Sequence, residues 1–388
     1  MRLLVCLLLS LPVFAAADAP QFDCDFPGGN FILDKAEGDD VSFHQDLRET
    51  DGDWFYWYFR VRNAGGRTLT FHLTKGNHIG ARGPAVSDDG GKTFRWLGLS
   101  AVKDGTFSYT FAADAADVRF SVAMPYQETN WKAFLQKIGN RPELKAEVLC
   151  KSPKGRDVEM LHVGKLDGGA KHRVAITCRH HACEMMASFE LEGILEGVLA
   201  DDETGKWLRE NVEFLILPFM DKDGVEDGLQ GKNRKPHDPN RDYMGESIYP
   251  SVAAVKKLVP EWSGGKLRIL LDLHCPYLKG GANENIHLVG GPNPAIWERA
   301  QRFGEILQRV QRGPLVYRTQ DNVAHGQTWN TLKEPRSVGI WAAELPGISF
   351  ATSLEFPYAN VRDKDVTPET ARAFGHDVAA AFAEYLKQ

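Results

Sequence analysis

Along the first third of the chain, apolar and β-branched residues alternate with polar ones in short runs: WFYWYFRVRN (54–63), RTLTFHLT (67–74), TFRWLG (93–98), TFSYTFA (106–112) and VRFSVAMP (118–125). Clusters of turn formers separate them (NAGG, SDDGGK, VKDG). Period-two runs closed by such clusters predict strands, and their regular spacing predicts a β-sandwich. This part of the chain carries no cluster of metal ligands and no nucleophile with a base.

From about residue 126 the period changes. Helical patterns (TNWKAFLQKI, EMMASFELEGILEGVLA, AIWERAQRFGEILQRVQ, PETARAFGHDVAAAFAEYL) alternate with short apolar runs (RVAITC, VEFLILPF, LRILLDLHC, GISFATSLEF). That alternation predicts an α/β domain, with a mostly parallel or mixed sheet and helices on both faces. The expected organisation is a β-sandwich domain over 18–125 and an α/β domain over 126–388.

At 388 residues the chain is long enough for two such domains. Its hydrophobic share of 43% and charged share of 25% are those of an ordinary soluble protein, and a net charge of −6 gives no reason to expect nucleic acid as a partner. The N-terminus differs: Arg2, then LLVCLLLSLPVF, then AAADA. A charged start, an apolar stretch too short to span a bilayer and small residues after it predict a signal peptide over 1–17, hence an exported, periplasmic or extracellular protein with no membrane association once the signal is removed. The cysteines beyond it (Cys24, Cys150, Cys178, Cys183, Cys275) are sparse and odd in number, so at most two bridges could form.

Candidate chemistry gathers where apolar runs end. RVAITC leads into Arg-His-His-Ala-Cys-Glu (179–184), in which His181 and Glu184 stand one helical turn apart, at the expected start of a helix near Glu184. Alone, H-x-x-E is also what a solvated polar turn looks like, and His180 with Cys183 has the same spacing. A second run, LRILLDLHC, delivers His274 at its end. Two histidines and a glutamate, leaving a fourth position for water, make up a catalytic zinc set. Glu355, in the apolar run GISFATSLEF, is costly to bury unless partnered or functional, and is a candidate base. GKNRKPHDPNRDY (231–243) carries two Asn-Arg pairs suited to gripping a carboxylate. DKDGVEDG upstream lacks the closing glutamate of a calcium loop and reads as a turn.

The order H-x-x-E, N-R within DPNR, DLH and SLEF resembles the zinc metallocarboxypeptidases of the funnelin (M14) type, and in particular their cytosolic-carboxypeptidase branch, over nearly the whole mature chain. The resemblance implies a mixed-sheet zinc carboxypeptidase domain preceded by an all-β sandwich. It implies one zinc per chain on His181, Glu184 and His274, with Glu355 as general base and acid. Arg234 would polarise the scissile carbonyl, and Asn240 with Arg241 would hold the terminal carboxylate of a peptide or protein substrate. Three departures stand out: no mobile tyrosine at a comparable position, Cys183 where a small residue is usual, and the export signal. Arg336, in KEPRSVGIW (333–341), falls where a member preferring acidic C-terminal residues would want a cation. An aspartoacylase- or succinylglutamate-desuccinylase-like amidohydrolase shares most of the motifs but not the leading β domain. A non-catalytic binding module would have no need of Glu355.

Overall fold

The computed structural model describes residues 19–331 and 336–388. The expected signal segment at 1–17 lies outside the described residues, as do Lys333, Glu334 and Pro335.

Ten strands form the β-rich N-terminal region. One sheet runs β1 (Gln21–Asp23), β4 (Tyr58–Arg62), β10 (Val118–Ser121), β6 (Ala85–Ser87), β7 (Arg95–Trp96). The other runs β2 (Ile32–Glu37), β3 (Asp40–His44), β5 (Thr68–Leu73), β9 (Thr106–Thr110), β8 (Val102–Lys103). Alternate residues of each face inward and meet as aromatic pairs: Phe59 to Phe71 with ring centroids 5.6 Å apart, Phe107 to Phe120 at 5.5 Å. Rings of this kind bury large area and prefer tilted or edge contacts.

The α/β part begins with α1 (Glu128–Ile138). Its sheet has the order β11 (Leu144–Lys151), β12 (Asp157–Gly164), β14 (Val212–Leu217), β13 (His172–Cys178), β15 (Leu267–His274), β17 (Phe350–Glu355), β16 (His287–Val289). The central four, β14, β13, β15 and β17, are parallel, and antiparallel strands close both edges. The helices between them are α2 (Met186–Leu199), α3 (Glu203–Asn211), α4 (Lys222–Asp227), α5 (Pro250–Ser263), α6 (Pro294–Val310) and α7 (Val338–Ala342). A small hairpin, β18 (Asn360–Val361) with β19 (Lys364–Asp365), precedes α8 (Pro368–Leu386). Alternation along the strands splits the core: Val174, Ile176, Phe214 and Leu271 face α2, α6 and α8, whereas Ala175, Leu215, Leu270 and Ala351 join α5 and α7. The sheet is therefore mixed and covered by helices on both faces, as expected.

Local differences have local causes. DKDGVEDG is a short helix, α4, because Asp221 caps it by accepting from Gly224 N–H and Gly228 ends it in the left-handed region. The helix expected near Glu184 starts at Met186, after a tight turn.

Helix α2 lies against α8 at glycine. A methyl group at Gly193 would sit 2.1 Å from the Arg372 carbonyl oxygen, and one at Gly375 would sit 2.3 Å from that of Glu190. Alanine in a helix interior gains about 1 kcal/mol over glycine. Here the clash is with backbone, which no rotamer relieves, and overpacking costs about 1–3 kcal/mol. Gly193→Ala is therefore expected to destabilise the protein in denaturant unfolding. Equal or greater stability would show that the two helices have room to part.

Candidate active site

The carboxyl ends of β13, β15 and β17 lie side by side, with Cys178 opposite Leu273 and His274 opposite Glu355. Beyond Cys178 the chain reverses at Arg179, whose φ of +58° is unusual for a side chain of its size. Its buried guanidinium holds the turn, donating to the carbonyls of Tyr126 (2.9 Å) and Ala182 (3.2 Å) and to Ser188 Oγ (3.1 Å). Glu184 N–H closes the turn on the His181 carbonyl at 3.3 Å, so the H-x-x-E spacing belongs to a turn rather than to α2.

His181, Glu184 and His274 converge. Glu184 is wholly buried, with Oε1 3.0 Å from His181 Nδ1 and Oε2 2.7 Å from His274 Nδ1. One ligand atom from each of the three lies within 4.8 Å of the others. Burial alone would raise the Glu184 pKa, but Lys232 and the two imidazoles overcome it and hold the group well below the usual carboxylate range. Burial likewise opposes charge on His274, yet Asp272 and Glu184 raise it well above the usual imidazole range. A site that would otherwise draw a proton onto the His274 imidazole fits a divalent cation, and the donors are those zinc takes.

Each imidazole is held from behind. His181 Nε2 faces Asp238 at 3.5 Å, and His274 Nε2 faces Asp272 at 2.5 Å. Asp272 also accepts from Thr177 Oγ1 at 2.7 Å and lies 2.8 Å from His180 Nδ1, whose Nε2 meets the Tyr243 hydroxyl. His180, Asp272 and His274 therefore form a hydrogen-bonded support, although their ligand atoms also cluster within 4.8 Å. Such partners fix the orientation and basicity of a ligating histidine. Asp238 and Asp272 stood inside the motifs DPNR and DLH, but sequence reasoning gave them no role.

A cleft of about 580 Å³ opens above this floor, lined by His181, His274, Asn240, Arg241 and Glu355 among others. Glu355 Oε2 is buried there with no hydrogen-bond partner among the described residues. Arg241 bonds the Asn240 carbonyl at 2.8 Å. The Asn240 amide is already engaged, donating to Asp272 at 3.2 Å and accepting from Val338 N–H at 3.0 Å. Arg336 does not line this cleft, though its neighbour Ser337 does; the Arg336 carbonyl accepts from Tyr243 N–H at 3.0 Å.

Arg234 is not brought into the cleft. Its guanidinium pairs with Asp221, Nη1 to Oδ1 at 3.0 Å and Nη2 to Oδ2 at 2.9 Å, and lines a separate cavity of about 610 Å³. The cation of that loop that does enter is Lys232, with Nζ 2.5 Å from Glu184 Oε1. Trp54, from the β-rich region, also lines the cleft. Neither was singled out from sequence.

All five described cysteines are free. Cys178, Cys183 and Cys275 are buried beside the ligand loops, and burial pushes the Cys183 thiol up to about 12. Protonated thiols pack as small apolar groups and are poor ligands.

Residues 131–257 match the family model of the zinc carboxypeptidases, peptidase family M14. Cytosolic carboxypeptidase 6 of Caenorhabditis elegans is 26% identical over 51% of this chain and 45% of its own length. Human cytosolic carboxypeptidase 2 is 27% identical over 77% of this chain, which spans 33% of that protein. A metallo-carboxypeptidase structure from Burkholderia cenocepacia superposes with a TM-score of 0.79 at 19% identity, covering 95% of this chain and 99% of the other. With a zinc-type donor set at the ends of adjacent parallel strands, these likenesses support an M14-type zinc carboxypeptidase fold.

Proposed function

We propose that the protein is a zinc-dependent exopeptidase that removes C-terminal residues from peptides or proteins. The observation that carries this reading is the convergence of His181, Glu184 and His274 on the floor of a cleft that also takes in Glu355 and Arg241. Zinc held by the three ligands would act as a Lewis acid toward water and the scissile carbonyl. Glu355, its Oε2 without a hydrogen-bond partner among the described residues, takes a proton from the attacking water and passes it to the departing amine. Arg241 pairs with the terminal carboxylate, which restricts the reaction to chain ends. Asn240, tied to Asp272 and Val338, holds that wall of the cleft in place and contributes to the grip. We infer an acidic preference as well, from Arg336, whose neighbour Ser337 lines the cleft. Export rests on the pattern at 1–17; no described helix is long and apolar enough to cross a membrane.

Metal retention and turnover should separate in variants. His181→Ala and His274→Ala are expected to lose bound zinc and activity together. Glu355→Gln should keep zinc and fold while kcat falls by about 10²–10⁴. Full zinc stoichiometry in a histidine variant, or normal turnover in Glu355→Gln, would remove that residue from its role.

Substrate choice is read with a peptide series. C-terminal amidation should abolish cleavage, and peptides ending in Glu or Asp should be cut faster than those ending in Leu or Lys, the difference shrinking in Arg336→Ala. Faster release of Leu or Lys by the wild type refutes the acidic preference alone. Deacylation of N-acyl aspartate without peptide cleavage would move the protein to the amidohydrolases.

Export is checked by mass spectrometry of the protein from its native host. A mature chain beginning at Asp18 is expected, and an intact Met1–Ala17 segment would count against export.

A further inference from the structure

The cleft needs positive charge in two places. One binds the terminal carboxylate; the other meets the charge that develops when the water oxygen adds to the carbonyl carbon and the C=O π pair moves onto oxygen. Among the described residues lining the cleft, Lys232 and Arg241 are the two that are Lys or Arg. Arg241 bonds the Asn240 carbonyl, whereas the Lys232 ammonium touches the ligand Glu184 on the floor. Arg234 is occupied by Asp221 in the neighbouring cavity.

What holds Lys232 there is the β-rich region. Gln230 is fully buried, and its side chain pairs with the backbone of Tyr56 like a strand neighbour, accepting from Tyr56 N–H at 2.8 Å and donating to its carbonyl at 2.9 Å. Asn30 donates to the Gly228 carbonyl at 2.7 Å, and Asp51 N–H donates to that of Asn233 at 3.2 Å. On the opposite side the Gln230 carbonyl accepts from Cys183 N–H at 3.0 Å, one residue before the ligand Glu184. Gly231 takes a φ of +77°, and a methyl there would come within 2.1 Å of Ala182 N, so only glycine lets the two loops meet. The Trp54 ring lies 5.2 Å from Lys232 Nζ, a cation–π distance.

We propose that Lys232, rather than Arg234, is the cation that stabilises the developing oxyanion, and that the β-sandwich is part of the catalytic apparatus because Trp54 and the Tyr56–Gln230 pairing position it. The proposal rests on the carboxypeptidase reading. Lys232 keeps its protons throughout and donates a hydrogen bond to the carbonyl oxygen as the negative charge forms; the proton delivered to the leaving amine when the C–N bond breaks comes from Glu355. A ligand-held cation on Glu184 would repel the ammonium from that carboxylate toward the cleft.

The test uses zinc-loaded full-length protein, a peptide substrate, and a phosphonate analogue of a C-terminal dipeptide whose binding is followed by calorimetry. Lys232→Met should keep its zinc and bind the free product amino acid within about threefold of wild type. Its kcat and its phosphonate affinity should each fall by about 10²–10³, the usual loss on deleting one oxyanion donor. Lys232→Arg should restore most of both. Trp54→Ala should lower kcat by a smaller factor at little change in KM, with Trp54→Phe recovering it. Unchanged kcat and phosphonate affinity in Lys232→Met, or the same losses in Arg234→Met instead, would overturn the proposal. So would loss of zinc from Lys232→Met, which would make the lysine a structural counter-charge to Glu184. A wild type that binds the phosphonate in a Lys232-dependent way yet releases no C-terminal residue would uphold the anion-stabilising lysine and refute the peptidase reading.

Discussion

One buried charge organises this protein. Glu184 has no exposure to solvent, and an isolated carboxylate in such a place costs several kcal/mol. Its partners come from three separate stretches of chain: His181 from its own turn, His274 from the end of β15, and Lys232 from the loop after α4. None of these is near Glu184 unless the parallel strands are in register and the 228–234 loop is folded against the ligand turn. The charge therefore rewards only the complete arrangement, and a bound cation between the two imidazoles rewards it further. Removing one partner leaves a buried charge uncompensated, which is why ligand loss and misfolding are hard to separate at such sites.

That dependence explains why the β-sandwich is joined to the α/β unit by polar as well as apolar links. Aromatic stacking among Phe43, Phe59, Phe71 and Phe107 is enough to hold the sandwich as a body. It does not dictate where the body sits. Placement comes from backbone pairing of Tyr56 with Gln230, from Asn30 on the Gly228 carbonyl, and from Phe55 edge-on to Tyr358, whose hydroxyl reaches the Cys183 carbonyl at 3.2 Å. These links end on Cys183, Gln230 and Gly228, each within four residues of Glu184 or Lys232, so the interface and the buried charge share the same loops.

Some of this was legible in the sequence. Apolar runs that end in or just before a histidine or a glutamate mark strand ends, and in a parallel sheet those ends share one edge, so the nearness of His181, His274 and Glu355 could be expected. Helix α8 was legible to its boundaries because Thr367 caps it, Pro368 opens it and the apolar stripe is continuous. Helix α5 was not, because Pro250 and Pro260 break the usual helical texture, although the first sits at the permissive first turn. The position of Arg234 was not legible for a different reason. In an irregular loop the direction of a side chain follows from the particular turns taken, so motif order placed the loop correctly but not the choice between Lys232 and Arg234. The close approach of Gly231 to Ala182, the Gln230 pairing with Tyr56 and the Asp221 partner of Arg234 fix those turns.

The support behind the ligands follows from the strand period itself. Side chains two apart on a strand share a face, so Asp272 and His274 point the same way from β15 while Leu271 and Leu273 enter the opposite core. That spacing brings the Asp272 carboxylate against His274 Nε2 and leaves Nδ1 turned toward Glu184. Burial would favour a neutral Asp272, but His180 and His274 hold it ionised. Its charge in turn orients both rings and raises the donor strength of the one that faces the site. A leucine at position 272 would suit the hydrophobic pattern of the strand equally well, and it would leave His274 free to rotate and Thr177, His180 and Asn240 without their common acceptor. The aspartate in D-L-H is therefore what turns a histidine at the end of a strand into a ligand with one fixed direction.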